Sequence, residues 1–372
     1  MQYSTFAAID IGSYDVILEI FEISKKQGIR SVDKICHRME LGKDTYTLGK
    51  IRPEMEEELC RVLADFVRIM EGYRVDDYRA TASSAISEAS NSLYVLGKIH
   101  QLTGFSVTVL SNSEQRFLSY KALAAMEDNF NKIIEKGTAI LDLDGGSFQI
   151  SLFDKDALVT TQNIRMGSLR IRERLAGIQS ETEHYEEMVE ELIWNEVSSF
   201  KKMYLKDRKI ENIMLIGDVF TDSVYQNIEE KTTKIISREN FNTWYEKIIR
   251  QSPMELAVKL GIPLENASLM YPSAVIYKCL IDMMGAEHIW IPGVHMTRGI
   301  AYEYAEQMKL LKGGHNFEND ILVASRNIAK RYSTGKDHIK GTTDIALTIF
   351  DSMKKIHGMG ARERLLLQIA VQ

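Results

Sequence analysis

Residues 7–21 read AAIDIGSYDVILEIF, and residues 139–153, AILDLDGGSFQISLF, lie on them without a gap. Asp10 falls on Asp142, Ile11 on Leu143, Ile20 on Leu152 and Phe21 on Phe153. Each copy reads as an apolar strand ending in an aspartate, a tight turn of small residues and a second strand of alternating polarity. Two such units spaced at the length of a domain imply two similar domains. The expected boundaries are residues 1–124 and 125–311, followed by a helical segment over 312–372.

The turns carry the chemistry. A strand that delivers an aspartate into Gly and Ser residues sets several backbone N–H groups on one concave bend beside a carboxylate. Phosphate oxygens accept from such N–H groups, and glycine lets the backbone approach without a Cβ in the way. The carboxylate can hold Mg²⁺, which offsets phosphate charge. Two such bends facing across a cleft would hold a phosphate chain from both sides.

Around the repeat the pattern is mixed α/β. In the first half, residues 55–70, 86–100 and 114–126 have helical spacing, and 78–83 and 106–110 read as strands. In the second half, 158–163, 213–217 and 288–291 read as strands, and 184–204, 274–284 and 299–311 as helices. Lys312, Gly313 and Gly314 read as a hinge, beyond which 320–332, 343–356 and 361–370 are helices only. The sequence ends in the apolar run LLLQIAVQ, whose face further chain or a second copy in a homodimer would cover.

With 45% hydrophobic and 26% charged residues, the 372-residue chain is ordinary globular protein. It has no apolar run of membrane-spanning length and no signal-peptide succession at its N-terminus, so no membrane and a cytoplasmic location are expected. Cys36, Cys60 and Cys279 are odd in number and far apart, which fits reduced thiols. The eight histidines show no zinc-binding spacing. A net charge of −6 argues against nucleic acid as a partner and requires any polyanion site to be locally electropositive.

Five stretches then resemble one known family, the exopolyphosphatase / guanosine pentaphosphate phosphohydrolase (Ppx/GppA) family. AAIDIGS at 7–13 resembles its first phosphate loop, DIGSNS; TASSAISEASN at 81–91 its ATSALREAxN segment; and VLSNSEQRFLSYKAL at 109–123 its ISGxEEARLIYxGV segment. LDLDGGSFQI at 141–150 resembles the second loop, DIGGGSTEL, and MGSLRIRERL at 166–175 the segment LGAVRLTE. Residues 267–276 and 291–300 resemble the stretch ending in LREGI, and the tail from His338 resembles the opening helices of an appended helical domain.

The resemblance implies a duplicated, actin-like (ribonuclease H-like) two-domain α/β fold with an all-α C-terminal extension. It also implies a cleft that hydrolyses the terminal phosphoanhydride of polyphosphate or of a guanosine alarmone, with Mg²⁺. Carried over residue by residue, phosphate falls to Gly12, Ser13, Gly145, Gly146, Ser147, Gly167, Arg170 and Arg298, and metal to Asp10, Asp142 and Gln149. The catalytic positions are Gln115 and Glu114.

The departures fall on polar positions. The family's catalytic glutamate is Gln115 here, and an amide can orient a water but cannot take its proton; losing a general base costs about 10²–10⁴ in rate. The metal-associated glutamate is Gln149, and Asp144 stands where the second loop has its first glycine. Ser87 and Thr297 replace arginines, while Tyr14 and Asp15 replace Asn-Ser. These changes imply a protein that binds a phosphoanhydride with hydrolysis weakened or lost, in a sensor role. The alternatives are an active phosphohydrolase with a rearranged site, rescued through Glu114, Asp15, Asp144 or Arg298, and a structural partner-binding scaffold. The acidic run at 183–192, the basic residues at 201–209, His338 and the three tryptophans read as structural.

Overall fold

The computed structural model describes residues 3–126, 130–176, 185–205, 208–227, 234–311, 315, 317–331 and 335–372. The expected hinge at Lys312, Gly313 and Gly314 lies outside the described residues.

The apolar runs of the repeat form the centres of two sheets. In the first, β1 (Ser4–Ile11) pairs antiparallel with β2 (Asp15–Ser24), which pairs antiparallel with β3 (Gly28–Arg38). On its other side β1 runs parallel to β4 (Asp77–Ala82), and β4 to β5 (Val107–Val109), giving the order β3-β2-β1-β4-β5. The second sheet repeats this with β6 (Thr138–Leu143), β7 (Phe148–Asp154), β8 (Ala157–Ile164), β9 (Asn212–Ile216), β10 (Ile235–Ser237) and β11 (His288–Trp290), in the order β10-β11-β9-β6-β7-β8. The equivalence extends to register: Asp10 pairs with Ile17 across the first hairpin, and Asp142 with Gln149 across the second. Near-continuous burial of β1 and β6 explains why their sequences are apolar runs rather than alternations.

Each sheet is covered on both faces. The helices Pro53–Tyr73 and Ser92–Thr103 pack on one side of the first sheet, where Leu59, Leu63, Phe66 and Ile99 join β1 and β2 in one core. The helices Tyr185–Phe200 and Leu264–Met284 do the same for the second. The inner faces are covered by helices that cross between the lobes. Met296–Gln307, late in the chain, packs on the first sheet, with Tyr304 stacked on Phe6 at 4.1 Å between ring centroids. Asn112–Met126 turns Tyr120 and Leu123 onto the second sheet and Leu118 toward the first. The expected division near residue 124 therefore falls inside a helix shared by both lobes.

Several expected elements differ in extent. The helix expected over 86–100 is two, Ser84–Ser87 and Ser92–Thr103, because the side chain of Asn91 turns back to bond the backbone of Ile51 in both directions. The helix expected at 274–284 begins ten residues earlier, at Leu264, and carries Pro272 in its interior. Among the described residues the regular elements of the C-terminal segment are all helices, and Phe317–Arg331 docks on β8 through Asp320, which accepts the N–H of Leu158 at 3.3 Å and a bond from His315 at 2.7 Å. Among the described residues no helix is long and apolar enough to cross a membrane.

Candidate functional site

Parallel strands β1, β4, β6 and β9 all end on the same side, and in an open α/β sheet the loops beyond carboxyl ends are where ligands collect. Here those ends border a cavity of about 390 Å³ between the lobes. Asp10 and Gly12 of the first turn and Asp142, Asp144, Gly145, Ser147 and Gln149 of the second line it together. Gln115 reaches it from the crossing helix Asn112–Met126, and His295 and Thr297 from the start of Met296–Gln307.

The turns are built as matched bends. Gly12 N–H donates to the Asp15 carbonyl at 2.9 Å, and Asp144 N–H to the Ser147 carbonyl at 2.9 Å. Their small residues serve lobe-to-lobe packing as much as ligand approach. The Ser13 hydroxyl is buried within hydrogen-bond distance of Tyr46 Oη (2.7 Å), Ser84 Oγ (3.2 Å) and, across the cleft, Asp144 Oδ2 (3.4 Å). A Cβ on Gly146 would run into the Tyr46 hydroxyl and stand 2.5 Å from Ser84 Oγ; one on Gly167 would meet the backbone of Asp144 and Gly145.

The substitutions of the first turn also have partners. Tyr14 donates its hydroxyl to Asn266 Oδ1 of the opposite lobe at 2.8 Å and packs with Leu169 and Leu269. Asp15 accepts the Cys36 thiol at 3.3 Å.

The electrostatics are acidic. Six aspartates line the cavity, Asp10, Asp15, Asp142, Asp144, Asp218 and Asp222, against Lys34 and Arg38. Burial, reinforced by the charges of Asp15 and Asp144, pushes the Asp10 carboxyl well above its ordinary range. Burial likewise raises Asp142 and Asp144 to about 6 and Asp218 to about 7. It lowers His295, which stands 3.5 Å from Asp222.

These groups suit a hard divalent cation. Asp10 Oδ1, Asp218 Oδ2 and Gln149 Oε1 are buried oxygens with no hydrogen-bond partner among the described residues, and oxygen donors of this kind are what such an ion takes. Among the described residues no three His, Cys, Asp or Glu side chains are grouped so as to hold a metal ion by themselves. Water and ligand oxygens would complete the coordination.

Some expected contacts are placed elsewhere. Glu114 is exposed and caps its own helix, accepting Ser111 N–H at 2.9 Å and Ser111 Oγ–H at 2.8 Å, which holds its carboxyl below the usual range; a residue next to Gln115 on a helix faces about 100° away. Arg170 lies over the Tyr46 ring, 3.8 Å from its centroid, and donates to the Gly146 carbonyl (2.9 Å) and Glu88 (3.0 Å), so it braces the second turn from outside the cavity. Arg298 points to the Ile29 carbonyl at 3.4 Å. The Gly145 amide is taken by the carboxylate of Asp144 at 2.7 Å, an acceptor that the family's glycine would not supply.

The sequence reading missed Asp218, Asp222 and Lys34. Asp218 follows the buried strand at 213–217 directly, a strand-Gly-Asp signal of the same kind as the two turns. Gly217 is required there, with φ of 105° and Asp142 Oδ1 2.6 Å from where a Cβ would sit. Lys34 lies on the edge strand β3, where nothing in the local sequence marks it for a site.

Comparison with known proteins follows the same lines. A model of the Ppx/GppA phosphatase family matches residues 19–308. Among curated proteins, the bifunctional 3-dehydroquinate synthase/phosphatase of Fusobacterium nucleatum is 21% identical over 310 residues, covering 76% of this chain and 44% of its own. Exopolyphosphatase 1 of Mycobacterium leprae is 25% identical over 144 residues, covering 38% of this chain and 41% of its own. The chain thus spans less than half the length of these curated relatives. Among solved structures, an exopolyphosphatase from Cytophaga hutchinsonii superposes with a TM-score of 0.73 at 17% identity, covering 82% of this chain and 98% of that one. The Ppx/GppA family member of Aquifex aeolicus gives 0.67 at 17% identity, covering 82% and 99%. The fold is therefore the duplicated actin-like one.

Proposed function

The chain belongs to the Ppx/GppA phosphatase family, and from that premise we propose that it binds a phosphoanhydride, polyphosphate or a guanosine penta- or tetraphosphate, between its lobes with Mg²⁺, and that its hydrolysis is weakened. The reading places it in the cytoplasm, with occupancy signalled by closure of the lobes. The observation that carries it is the pair of buried amides facing the aspartate turns. Gln115, 9% exposed, and Gln149, 5% exposed, both line the cavity, and Gln115 Nε2 and Gln149 Oε1 have no hydrogen-bond partner among the described residues. Where the resemblance sets a base and a metal-associated carboxylate, this protein has two neutral groups that orient water or phosphate without accepting a proton.

The test is phosphate release from polyphosphate and from guanosine pentaphosphate with Mg²⁺, comparing wild type with Gln115→Glu. The substituted protein should gain about 10²-fold or more, the worth of a general base. Vigorous turnover by the wild type, unimproved by the substitution, would overturn the weakened-enzyme reading.

One observation favours the second reading, an active enzyme with a rearranged site. Asp218 is held by Thr221 N–H (3.1 Å) and Tyr277 Oη–H (3.3 Å) through Oδ1, while Oδ2 is unpartnered and the carboxyl titrates near neutrality. A water beside it would have a proton acceptor. Asp218→Asn tests it with Mg²⁺ affinity as the control: on this reading the variant loses the wild-type rate while calorimetric Mg²⁺ binding persists, and an equal loss of both would mark Asp218 as a cation ligand and remove it as the proton acceptor.

A further inference from the structure

The helical segment that follows the second lobe holds a cavity of its own. Three helices bound it, Phe317–Arg331, Lys336–Ser352 and Ala361–Ala370, and its volume of about 400 Å³ is that of a small-molecule pocket. Its charge is opposite to that of the cleft between the lobes. Arg326 and Lys330 reach it from the first helix and Lys340 from the second, and Asp344 is the one acidic side chain among the described lining residues. Three cations against one carboxylate leave a net +2 within a chain of net charge −6. Among the described residues none of the three cations has an ion-pair partner.

The helical period gathers these groups. Phe317–Arg331 docks on the second lobe through Asp320, Ala324 and Asn327, the last donating to the Val159 carbonyl at 3.3 Å. Arg326 and Lys330, one turn apart, stand on another face of that helix, which gives them to the cavity rather than to β8. On Lys336–Ser352, Ile339, Lys340 and Thr343 fall at spacings of one and four residues and share a face in the same way.

A buried polar group gives the second, independent sign of a ligand. Thr343 is 8% exposed, it lines the cavity, and its hydroxyl has no hydrogen-bond partner among the described residues. A mid-helix threonine ordinarily bonds the carbonyl four residues back, as Thr348 of the same helix does with Asp344 at 2.7 Å. An unpaired buried hydroxyl costs stability unless something else takes its proton. Beside it, Ile339 and the methylene stems of the lysines supply apolar wall.

We propose that this cavity is a second ligand site, which takes a phosphate monoester with a compact apolar body. Such a monoester carries nearly two negative charges at neutral pH and so matches the net charge of the lining, of which a carboxylate would neutralise half. Its oxygens accept from the guanidinium, the two ammonium groups and the Thr343 hydroxyl, while its organic group lies against Ile339. Inorganic phosphate would leave most of the volume to water.

Titration calorimetry on the whole chain tests the site, in EDTA so that the cleft between the lobes holds no cation. The probes are phenyl phosphate, inorganic phosphate and benzoate. Phenyl phosphate should bind at least tenfold more tightly than either of the others, and its affinity should fall as salt rises, because salt screens an attraction. Lys330→Gln and Lys340→Gln should each weaken it about tenfold, the scale of one partly solvated unit charge. Thr343→Val gives a readout that a purely structural role would not. By removing an unpaired hydroxyl it should leave the melting temperature unchanged or raised, while weakening phenyl phosphate about two- to tenfold, the worth of one hydrogen bond.

No heat from phenyl phosphate at millimolar concentration would overturn the proposal, and so would lysine variants that bind it as the wild type does. Inorganic phosphate binding as tightly as the monoester would also overturn it, by showing surface cations that collect an ion without a built pocket. Both lysines are exposed and the probe comparison uses the wild-type chain, so the outcome does not hang on a variant's folding. Failure here leaves the reading of the cleft between the lobes as it stands.

Discussion

Two arginines of one helix tie the lobes together, Arg170 to Glu88 and Arg172 to Glu40, and removal of the second pair has a calculable consequence. Arg172, on the helix Ser168–Leu175 of the second lobe, forks onto Glu40 of the first: Nη1 to Oε1 at 2.7 Å and Nη2 to Oε2 at 2.9 Å. Nη1 also donates to Ser268 Oγ at 2.8 Å. The side chains are 14% and 20% exposed, and Glu40 holds a left-handed backbone, φ 43°, that only a fixed contact would favour.

Breaking a fully buried pair by removing one partner costs about 3–5 kcal/mol, and residual solvent access brings Arg172→Met to about 2–3 kcal/mol. Glu40→Gln, which keeps one acceptor, should cost about 1–2 kcal/mol. Arg172→Met strands Glu40, whereas Glu40→Gln leaves Arg172 its bonds to Glu173 Oε1 at 2.9 and 2.6 Å, so the double variant should cost about 1 kcal/mol less than the sum. Urea denaturation gives the cycle, read on the first transition because a two-lobed chain need not unfold in one step. Small-angle scattering should show the Arg172→Met protein more open in the absence of ligand. A coupling energy below about 0.5 kcal/mol, within the additivity of independent sites, would refute the assignment of this pair as a tie between the lobes.

Other outcomes follow from the same geometry. Gly146→Ala drives a methyl against the Tyr46 hydroxyl, costing about 1–3 kcal/mol by overpacking, and adding Tyr46→Phe should recover part of it; denaturation midpoints that do not move would contradict the packing. The raised carboxyls of Asp142 and Asp144, at about 6, and Asp218, at about 7, bind protons more tightly folded than unfolded. Their contribution is therefore largest below the unfolded range near 4 and is lost as pH rises through 6–7. The melting temperature of the wild type should fall across pH 5–7.5 relative to Asp144→Asn, and Mg²⁺ should restore it at the upper end; parallel curves for the two proteins would remove the carboxylate cluster as the cause. Asp218→Asn should relieve burial of a charge at pH 8 and raise the melting temperature there, with a fall counting against its having an unpartnered oxygen.

What could be read in advance follows from how each feature is encoded. The two central hairpins are local: an apolar run, an aspartate, small residues and an alternating strand give the duplicated α/β fold, and the register confirms the pairing down to Asp10 and Asp142. Short strands without a distinct period, β10 for example, and the long edge strand β3 with its many charged positions, carry no comparable signal. The crossing of Asn112–Met126 and Met296–Gln307 between lobes is a tertiary choice, since each helix has an apolar face that would fit either sheet.

At the site, the residues on the turns could be placed because strand direction fixes where a strand-terminal side chain goes. Arginines could not, because a long side chain's destination depends on which acceptor competes best. Arg170 is the instructive case. In sequence it follows Gly167 at a spacing that suits phosphate, yet Tyr46 offers its ring face and Glu88 its carboxylate on the side away from the cavity. That choice keeps the guanidinium out of the cleft, from where its charge only partly offsets the burial of Asp144 beside the Gly145 amide. The acidity of the cavity thus follows from where its arginines went as much as from which aspartates were added, and Glu88→Gln, by loosening Arg170, should make the cleft more receptive to a bare anion. Unchanged tripolyphosphate affinity in EDTA for that variant would mean that the Tyr46 ring and the Gly146 carbonyl hold the guanidinium unaided.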